Sequence, residues 1–507
     1  MKKIYNAFGF ICLLLAFVAI DLNGQIRYVD VLPGIGTLTD TIKGDTTDLG
    51  ARIDTFNTVY RLQRGDQAYY GLEGSISNSG YPLTIVAADG DGPRPFLQPR
   101  PVESVSSRAF RPKGDITLNG LHVTNMDNLG GLSSRMLRCD ADGIRVTLDN
   151  CWFDQDAQSF IRVDDPGMSF FITNCVVSNI GQPVSPDNGR GIDDRGNDID
   201  TIIIENCTFF NLTSRVIRDD GGIIKYARVN NNTLVNVAQM GITFGPIDTL
   251  EFNNNISVNS GFMPKDDDNT EWFVFGADSV GDVAPVVTMT NNSAYLDTAR
   301  IIGYLNDTLT ITPIFNPTLA AAVYVAGNLD DNWNWNIEFT DGPPFNDSIL
   351  MYYYDPAFMG GNAPDWVVPE LPDDGNGLYH LDVYYDFGYA HSLAAVGATD
   401  GLQIGDRNWA ATWSIGVKPF VTDGAELSVY PMPVRNHATI SFDLKADAMV
   451  QMEVYSLTGQ RVAEVMHNQY PAGSHQIGWN TEMLETGMYL LRMRAGNQSS
   501  TVKMIVQ

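Results

Sequence analysis

Positive charge, histidine and cysteine are all scarce in this chain of 507 residues. Lysine and arginine number 32 against 60 aspartates and glutamates, which gives a formal net charge of −28 at pH 7. A negative field of this size opposes binding to nucleic acid and to anionic membranes, so we expect neither partner. The 6 histidines and 5 cysteines show no metal-site spacing, and zinc chemistry is not predicted.

Long apolar runs are also missing, apart from a short one at the amino terminus. Lys2 and Lys3 precede an apolar run over residues 8–20, and Gly24 ends the segment. A membrane helix needs about 20 apolar residues, whereas a positive start and a shorter run are typical of a cleavable secretory signal. We predict a signal peptide over residues 1–24 and no transmembrane segment in the mature chain; a retained anchor is the alternative.

One theme recurs after the signal: an alternating apolar strand, then Asn-Cys or Asn-Asn, then more apolar residues. The aligned Cys or Asn positions are separated by 24, 32, 25 and 23 residues. Strands that recur at this spacing with variable insertions are what the stacked coils of a parallel β-helix require. The clearest copies are VTLDNCWF (146–153), FFITNCVV (170–177), IIIENCTFF (202–210), ARVNNNTLV (227–235) and LEFNNNISV (250–258).

The aligned residues are interpreted as one row of the β-helix interior. Asparagine there can bond to the backbone of neighbouring coils, and cysteine can act as a small apolar filler. Disulfides between adjacent coils are the alternative in an exported protein, and a β-sandwich is the alternative fold. The fixed positions of Asn and Cys argue against the sandwich. The row comprises Cys151, Cys175, Cys207, Asn232 and Asn255, and the remaining cysteine of the mature chain is Cys139.

The segment 58–99 places a strand, a turn at Gly65, two further strands and Pro-Phe-Leu-Gln-Pro in that order. It resembles the opening of pectin-lyase-like right-handed β-helix proteins, among them polysaccharide lyases of the chondroitinase-B and alginate-lyase type. The resemblance implies an all-β chain with a right-handed parallel β-helix over residues 25–300. It also suggests a polysaccharide as partner.

Residues 301–425 are less regular and end in AAVGATDGLQIGDRNW (394–409). This ending is similar to the tail of a group of exported β-helix proteins, in which a TDG…LGD.RW signature closes the helix. Because the last coil of a β-helix exposes an unpaired strand edge, a cap is physically required. We predict the end of the β-helix, a cap and a linker here, with aromatic residues used for packing first and for sugar stacking second.

Residues 426–507 alternate apolar strands with glycine turns, which is typical of a small Ig-like β-sandwich of about seven strands. From YPMPV through VYSLTGQ and GMYLLR to KMIVQ, the motifs resemble type IX secretion sorting domains. The resemblance implies export through the periplasm and outer membrane by the type IX machinery. It also implies removal of this domain and a secreted or cell-surface location. A carbohydrate-binding or spacer sandwich is the alternative.

Arginines recur one strand before the Cys/Asn row, at offsets of 12 to 14 residues. The spacing predicts one arginine row on a face of the β-helix and a second row one short strand earlier. Arginine can hold a carboxylate or sulfate through two N–H groups. The first row is Arg138, Arg162, Arg195 and Arg218, and the second is Arg135, Arg190 and Arg215. The predicted glycan-binding residues are Arg138, Arg162, Arg190 and Arg215.

Aspartates accompany these arginines, and two interpretations stay open. In one, alternating charges neutralise each other between coils and the ladder is structural. In the other, the arginines bind glycan while spare aspartates bind Ca²⁺, a hard ion that prefers several oxygen ligands. The inserted loop at 181–191 favours a functional face. The candidate calcium ligands are Asp193, Asp194, Asp219 and Asp220.

The lyase resemblance implies β-elimination from a uronate, with a lysine as base, an arginine nearby and Ca²⁺ to assist. Arg218 falls where that arginine would lie, and Lys225 and Arg195 complete the candidate catalytic set. The sequence departs from the lyase pattern, because Lys225 follows Arg218 and no lysine stands one coil earlier. The sequence therefore predicts a secreted or cell-surface polysaccharide-active protein, possible in two forms: a Ca²⁺-assisted lyase of uronate-containing glycans, or a non-catalytic glycan-binding or adhesin-like β-helix. A hydrolase with aspartates from neighbouring coils is a weaker third alternative.

Overall fold

The chain divides into two units, Met1–Thr412 and Trp413–Gln507. The predicted signal peptide and Asp219 lie outside the residues that the structure describes. The computed structural model describes residues 26–47, 50–53, 57–101, 107–181, 185, 188–218, 220–262, 273–277, 286–300, 314–322, 332–345, 347, 385–409, 411–412, 427–444, 446–456, 461–481, 483–484, 487–495 and 498–506.

The first unit is a parallel β-helix, as the repeat predicted. Its strands form three parallel sheets, here called A, B and C, which the chain visits in that order. Sheet A consists of Ile26–Val31, Asn57–Leu62, Leu83–Ala87, Ile116–Asn119, Arg145–Asp149, Met168–Thr173, Ile199–Glu205, Ile224–Asn230, Ile247–Asn253 and Val286–Thr290. Sheet B consists of Gly34–Ile35, Tyr69–Glu73, Phe96–Arg100, His122–Thr124, Trp152–Asp156, Val176–Ile180, Thr208–Leu212, Thr233–Val237, Ile256–Val258 and Ser293–Tyr295. Sheet C consists of Ile76–Ser79, Phe110–Lys113, Leu137–Cys139, Ser159–Val163, Arg190–Asp193 and Ile217–Arg218. Two further strands, Ile242–Phe244 and Phe275–Ala277, pair with each other.

The turn from sheet A to sheet B explains the recurring asparagine of the sequence theme. In each copy the Asn directly before the aligned Cys or Asn adopts a left-handed backbone conformation, which asparagine tolerates better than most residues. The next residue then points into the core, where Cys or Asn continues the row. The left-handed residues are Asn150, Asn174, Asn206, Asn231, Asn254 and Asn291, with φ between 50° and 62°.

The interior row forms a continuous hydrogen-bonded ladder, as predicted. The backbone N–H of Cys151 donates to the Cys175 sulfur at 3.4 Å, and the N–H of Cys207 donates to the Asn232 side-chain oxygen at 3.0 Å. Asn232 continues the ladder to Asn255 through its backbone N–H at 2.9 Å. All four described cysteines are buried thiols without disulfides. Cysteine as a core filler is therefore confirmed, and the disulfide alternative is wrong.

A second asparagine row, at the far end of sheet B, was not predicted. The Asn211 side-chain amide donates to Asn179 at 3.0 Å, and the Asn236 amide donates to Asn211 at 3.1 Å. These residues also have left-handed φ values of 53° to 57°. They lie five residues after the left-handed residue of each A–B turn, so the sequence carries the signal at a fixed offset.

The two ends of the β-helix are built differently. Near the first coil, the α-helix Thr37–Gly44 buries Leu38 and Ile42 in the same core as the sheets. At the other end Trp333 pairs in parallel with Ser293. The Cys/Asn row therefore extends beyond residue 300, because Asn332 accepts from the Asn292 backbone at 3.1 Å. A short helix, Pro317–Ala322, contributes buried Leu319 to the core.

The described part of the closing segment lies along the outer face of sheet B. Most of residues 301–425 lie outside the described residues, so the predicted cap stays a prediction. Gly405 donates its N–H to Asn254 at 2.6 Å, and the Trp409 indole donates to Thr208 at 2.8 Å. This placement buries apolar surface, because Phe210 points outward from sheet B and Phe387 packs on it. The segment contains the strands Phe339–Asp341, Asp386–Ala390 and Ala411–Thr412, and the 3₁₀ turn Ala394–Val396.

The second unit is the predicted seven-stranded β-sandwich. Its first strand pairs with the next strand over its first half and with the last strand near its end, so it passes from one layer to the other. The core between the layers includes Ile440, Val450 and Leu491, all fully buried. The strands are Leu427–Arg435, His437–Leu444, Ala448–Ser456, Arg461–Tyr470, Gly473–Asn480, Gly487–Ala495 and Gln498–Val506.

Candidate functional site

The first arginine row lies on the outer face of sheet C, with one correction. Arg138 is in register with Arg162, but Arg162 is in register with Asp193, and Asp193 with Arg218. Arg195 follows the strand in a turn with φ 57° and does not belong to the row. Three of the four predicted arginines therefore align, and an aspartate takes the fourth place.

A β-bulge in sheet A explains why Arg195 does not lie in the arginine row that the sequence spacing predicted. Met168 pairs with Ile199 but Ser169 pairs with Thr201, so Asp200 is an extra residue. With the extra residue, Asp193 lies 14 residues before Cys207 of the Cys/Asn row. In the two preceding coils, the corresponding arginines lie 13 residues before the row. Arg195, at 12 residues, is out of step for this reason.

Several charges on the sheet C face form groups of ion pairs. Asp193, with only 1% of its side chain exposed, accepts from Arg190 and from Arg218, each at 3.0 Å. Arg218 also reaches Asp220 at 3.0 Å. One coil pair earlier, Arg138 and Arg162 both bind Asp164. This arrangement is the neutralising ladder that the first of the two interpretations described.

The ion pairs shift the pKa values of their members. Burial opposes ionisation of Asp164, but the hydrogen bonds from Arg162 and Arg138 lower its pKa below the ordinary value. Burial also works against the charge on Arg218, yet Asp193 and Asp220 raise its pKa. Arg218 is therefore a fixed cation held by two carboxylates. It could neutralise a substrate carboxylate only by giving up one of them.

Two of the three candidate catalytic residues are brought together, because Arg195 and Arg218 share Asp220, whereas Lys225 binds Asp200. Lys225 lies in sheet A opposite Asp200, since Ile224 pairs with Ile199 and Tyr226 with Thr201. Its ammonium pairs with Asp200 at 2.8 Å and is 60% exposed, and this hydrogen bond raises its pKa. Arg218 and Lys225 thus bind different carboxylates on different sheets. A lysine that serves as a base needs the opposite environment, one that lowers its pKa.

The candidate calcium ligands are also engaged with protein donors. Asp194 accepts from the backbone N–H of Gly196 at 3.1 Å and of Gly222 at 3.3 Å. Asp220 pairs with Arg218 and, at 3.7 Å, with Arg195. Among the residues with a described placement, no three His, Cys, Asp or Glu are grouped to hold a metal ion. Asp219 is not described, and calcium binding stays a prediction.

The second arginine row stands at the corner between sheets B and C. Arg190 is in register with Ser159, and Arg215 accepts the backbone N–H of Gly191 through its carbonyl oxygen at 2.7 Å. Arg135 precedes them on the neighbouring coil, where the N–H of Met136 donates to the Ser159 carbonyl at 3.0 Å. Arg190 and Arg215 are almost fully buried, so much of this row is structural.

A buried carboxyl beside this row escaped the sequence reasoning. Asp156 is fully buried and accepts from the backbone N–H groups of Arg135, Gln158 and Ser159 and from the Asn125 amide. Burial raises its pKa to about 6, although these four hydrogen bonds oppose the rise. It fixes the corner by collecting backbone donors that have no partner in the sheets. Its signal in the sequence is weak, because Asp156 is one acid among many.

The comparison with protein families settles the role of the second unit. Residues 428–507 match the Por secretion tail family, described as a secretion system C-terminal sorting domain. This match identifies the second unit as a sorting domain. The protein is therefore exported to the cell surface or secreted, and the sorting domain contacts the type IX secretion machinery. A comparison with curated proteins gives no significant match. None of the described helices is long and apolar enough to cross a membrane.

Proposed function

We propose that this protein binds acidic polysaccharide outside the cell, without catalysis, through the arginine-rich outer face of sheet C. The observation that carries the proposal is where the positive charge lies. Ten of the 32 lysines and arginines lie on sheet C or the turns at its ends, in a chain of net charge −28. They are Arg108, Arg111, Lys113, Arg135, Arg138, Arg162, Arg190, Arg195, Arg215 and Arg218.

The spacing of this face supports a repeating polymer as ligand. Successive coils place residues in register about 4.8 Å apart, so charged groups recur along the helix axis as they do along an acidic glycan. Arg138 and Arg162 keep 28% and 19% of their side chains exposed while each binds Asp164. Each guanidinium has five N–H donors, so one can hold its aspartate and still offer donors to a ligand.

The non-catalytic form is supported by the placement of Arg218, Arg195 and Lys225. Arg218 is held by two aspartates, Arg195 leaves the row, and Lys225 pairs with Asp200 on sheet A. Elimination requires a base and a carboxylate-binding arginine on one substrate, whereas Lys225 lies on sheet A and Arg218 on sheet C. A Ca²⁺-assisted lyase would need Arg218 and the aspartates to exchange their present partners.

The test uses retention of the full chain on immobilised polygalacturonate, alginate and chondroitin sulfate, with neutral dextran as reference. We expect retention on the acidic polymers that falls with salt and weakens at least fivefold in Arg138→Gln. Arg61→Gln, which removes a cation paired with Asp30 on sheet A, is the matched control and should bind as the wild type does. Equal retention on dextran would refute the proposal.

A second assay examines catalysis. The same polymers are incubated with the protein, with and without CaCl₂, and the absorbance of unsaturated products is followed. We expect no product on any polymer. Product that depends on Arg218 and Ca²⁺ would instead support the lyase and overturn the non-catalytic part of the proposal.

A further inference from the structure

Two arginines at the start of the corner row, Arg108 and Arg135, differ from six other arginines of the sheet C face. Six arginines of this face each have an aspartate within 4.0 Å: Arg111, Arg138, Arg162, Arg190, Arg195 and Arg218. Among the described residues Arg108 and Arg135 have none. Arg135 donates from Nε to the Gln158 amide oxygen at 2.6 Å, and the buried Nε of Arg108 has no hydrogen-bond partner in the described part of the chain.

Among the described residues, no ion pair balances these two charges, although Asp156 lies near both arginines and Asp164 near Arg135. Burial lowers the pKa of Arg108, and the nearby Arg138, Arg135 and Arg111 lower it further. Burial likewise lowers the pKa of Arg135, helped by Arg162 and Arg138. Like charges in a partly buried place repel each other more strongly than in water. A bound anion would relieve this repulsion.

A third donor lies one coil further along the same row. Ser159 is fully buried, and its hydroxyl has no hydrogen-bond partner among the described residues. Its backbone carbonyl accepts from Met136, so it stands beside Arg135 on the neighbouring coil. A buried hydroxyl without a partner costs free energy unless a ligand or water supplies one.

The backbone at Arg135 is held in an unfavourable conformation that fixes this arrangement. Its φ of 67° is left-handed, a conformation that costs free energy in a non-glycine residue. The N–H of Arg135 donates to the buried Asp156 carboxyl at 3.1 Å, and this bond holds the turn. Strain of this kind is characteristic of ligand sites, since the surrounding structure must maintain it.

We propose that Arg108, Arg135 and Ser159 form an anion-binding site for one carboxylate or sulfate group. Two guanidiniums and a hydroxyl match the oxygens of either anion. The site deepens the proposed function and rests on it for the source of the anion: in a bound glycan, the group would be a uronate carboxylate or a sulfate ester. A free anion has the same chemistry.

The direct test is titration of the full chain with sodium sulfate and with sodium galacturonate by isothermal calorimetry, at ionic strength held constant with NaCl. We expect one saturable site with a dissociation constant in the millimolar range. Arg135→Gln should weaken binding at least tenfold and Ser159→Ala about threefold, whereas Arg61→Gln should change it less than twofold. Arg108→Gln is the second variant if Arg135→Gln fails to fold by circular dichroism.

The outcomes separate this site from the proposed function. Saturable binding lost in Arg135→Gln but no retention on acidic polymers keeps the site and refutes glycan binding. Polymer retention without saturable binding of either small anion overturns the site and keeps glycan binding. Saturable binding that Arg135→Gln, Arg108→Gln and Ser159→Ala leave intact also overturns the site, because the anion then lies elsewhere.

Discussion

Replacing Asn255 by alanine tests the interior ladder most directly. The Asn255 side chain is fully buried and makes four hydrogen bonds. Its amide donates to the Val229 carbonyl at 2.8 Å and to Asn292 at 2.9 Å. Its oxygen accepts from the backbone N–H of Asn232 at 2.9 Å and from the Asn232 amide at 3.1 Å. Alanine removes all four bonds and leaves their partners buried.

The expected loss follows from these contacts. A hydrogen bond contributes about 1 kcal/mol net, so four bonds correspond to about 4 kcal/mol of unfolding free energy. Asn255→Cys is the matched variant, because cysteine occupies this row in three other coils. A thiol there can still accept a backbone N–H, as Cys175 does from Cys151 at 3.4 Å. We therefore expect Asn255→Cys to lose about half as much.

The assay is urea unfolding of the full chain, followed by far-ultraviolet circular dichroism and by tryptophan fluorescence. Two probes are needed because coils contact mainly their neighbours, and a broken rung can unfold part of the helix before the rest. A loss below about 1 kcal/mol in Asn255→Ala would refute the reasoning. So would an Asn255→Cys variant that is as unstable as Asn255→Ala.

Three further predictions concern buried charge and thiols. Burial raises the pKa of Asp406 from 3.8 to about 7, so the protonated carboxyl contributes fully to folding stability below about pH 4 and this contribution is lost as pH rises through 7. The urea midpoint of the wild type should therefore fall more between pH 5 and 8 than that of Asp406→Asn. Equal falls in the two proteins would contradict this. Asp193→Asn removes the buried partner of two arginines and should lower the free energy of unfolding in urea by about 3 kcal/mol. Asp220→Asn changes a side chain that is 39% exposed and should lower it by under about 1 kcal/mol. Similar losses in the two variants would argue against the buried network. Cys139, Cys151, Cys175 and Cys207 are buried thiols and should react with Ellman's reagent only in denaturant, so fast labelling of the native chain, or fewer than four thiols after unfolding, would refute the free-thiol ladder.

The fold could be predicted because its signal is local and repeated. Each Asn-Cys or Asn-Asn pair combines a left-handed turn with an inward side chain, and both properties belong to single residues. Cys151 and Asn255 therefore take the same place in the structure as in the aligned sequence. The same period fixed which strands pair in sheet A.

The register of the charged face could not be predicted as well. Asp200 is a single extra residue in sheet A, and Lys225 stands opposite it in the next strand. A residue inserted there shifts the count on sheet C without changing the apolar pattern, and this places Asp193 where Arg195 was expected. The packing of the closing segment on sheet B could not be predicted either, because the hydrogen bond between Thr208 and Asp406 joins residues 198 positions apart.

The sign of the charge along sheet C decides where an anion can bind. In the later coils Asp193 stands between Arg162 and Arg218, so acid and base alternate along the row and little net charge remains. In the earlier coils Arg111 and Lys113 share the single carboxylate of Asp140, and Arg108 adds a further cation beside them. Among the described residues of sheet C, positive charge is therefore in excess at the amino-terminal coils. An acidic glycan has more to gain there than at the predicted lyase position around Arg218.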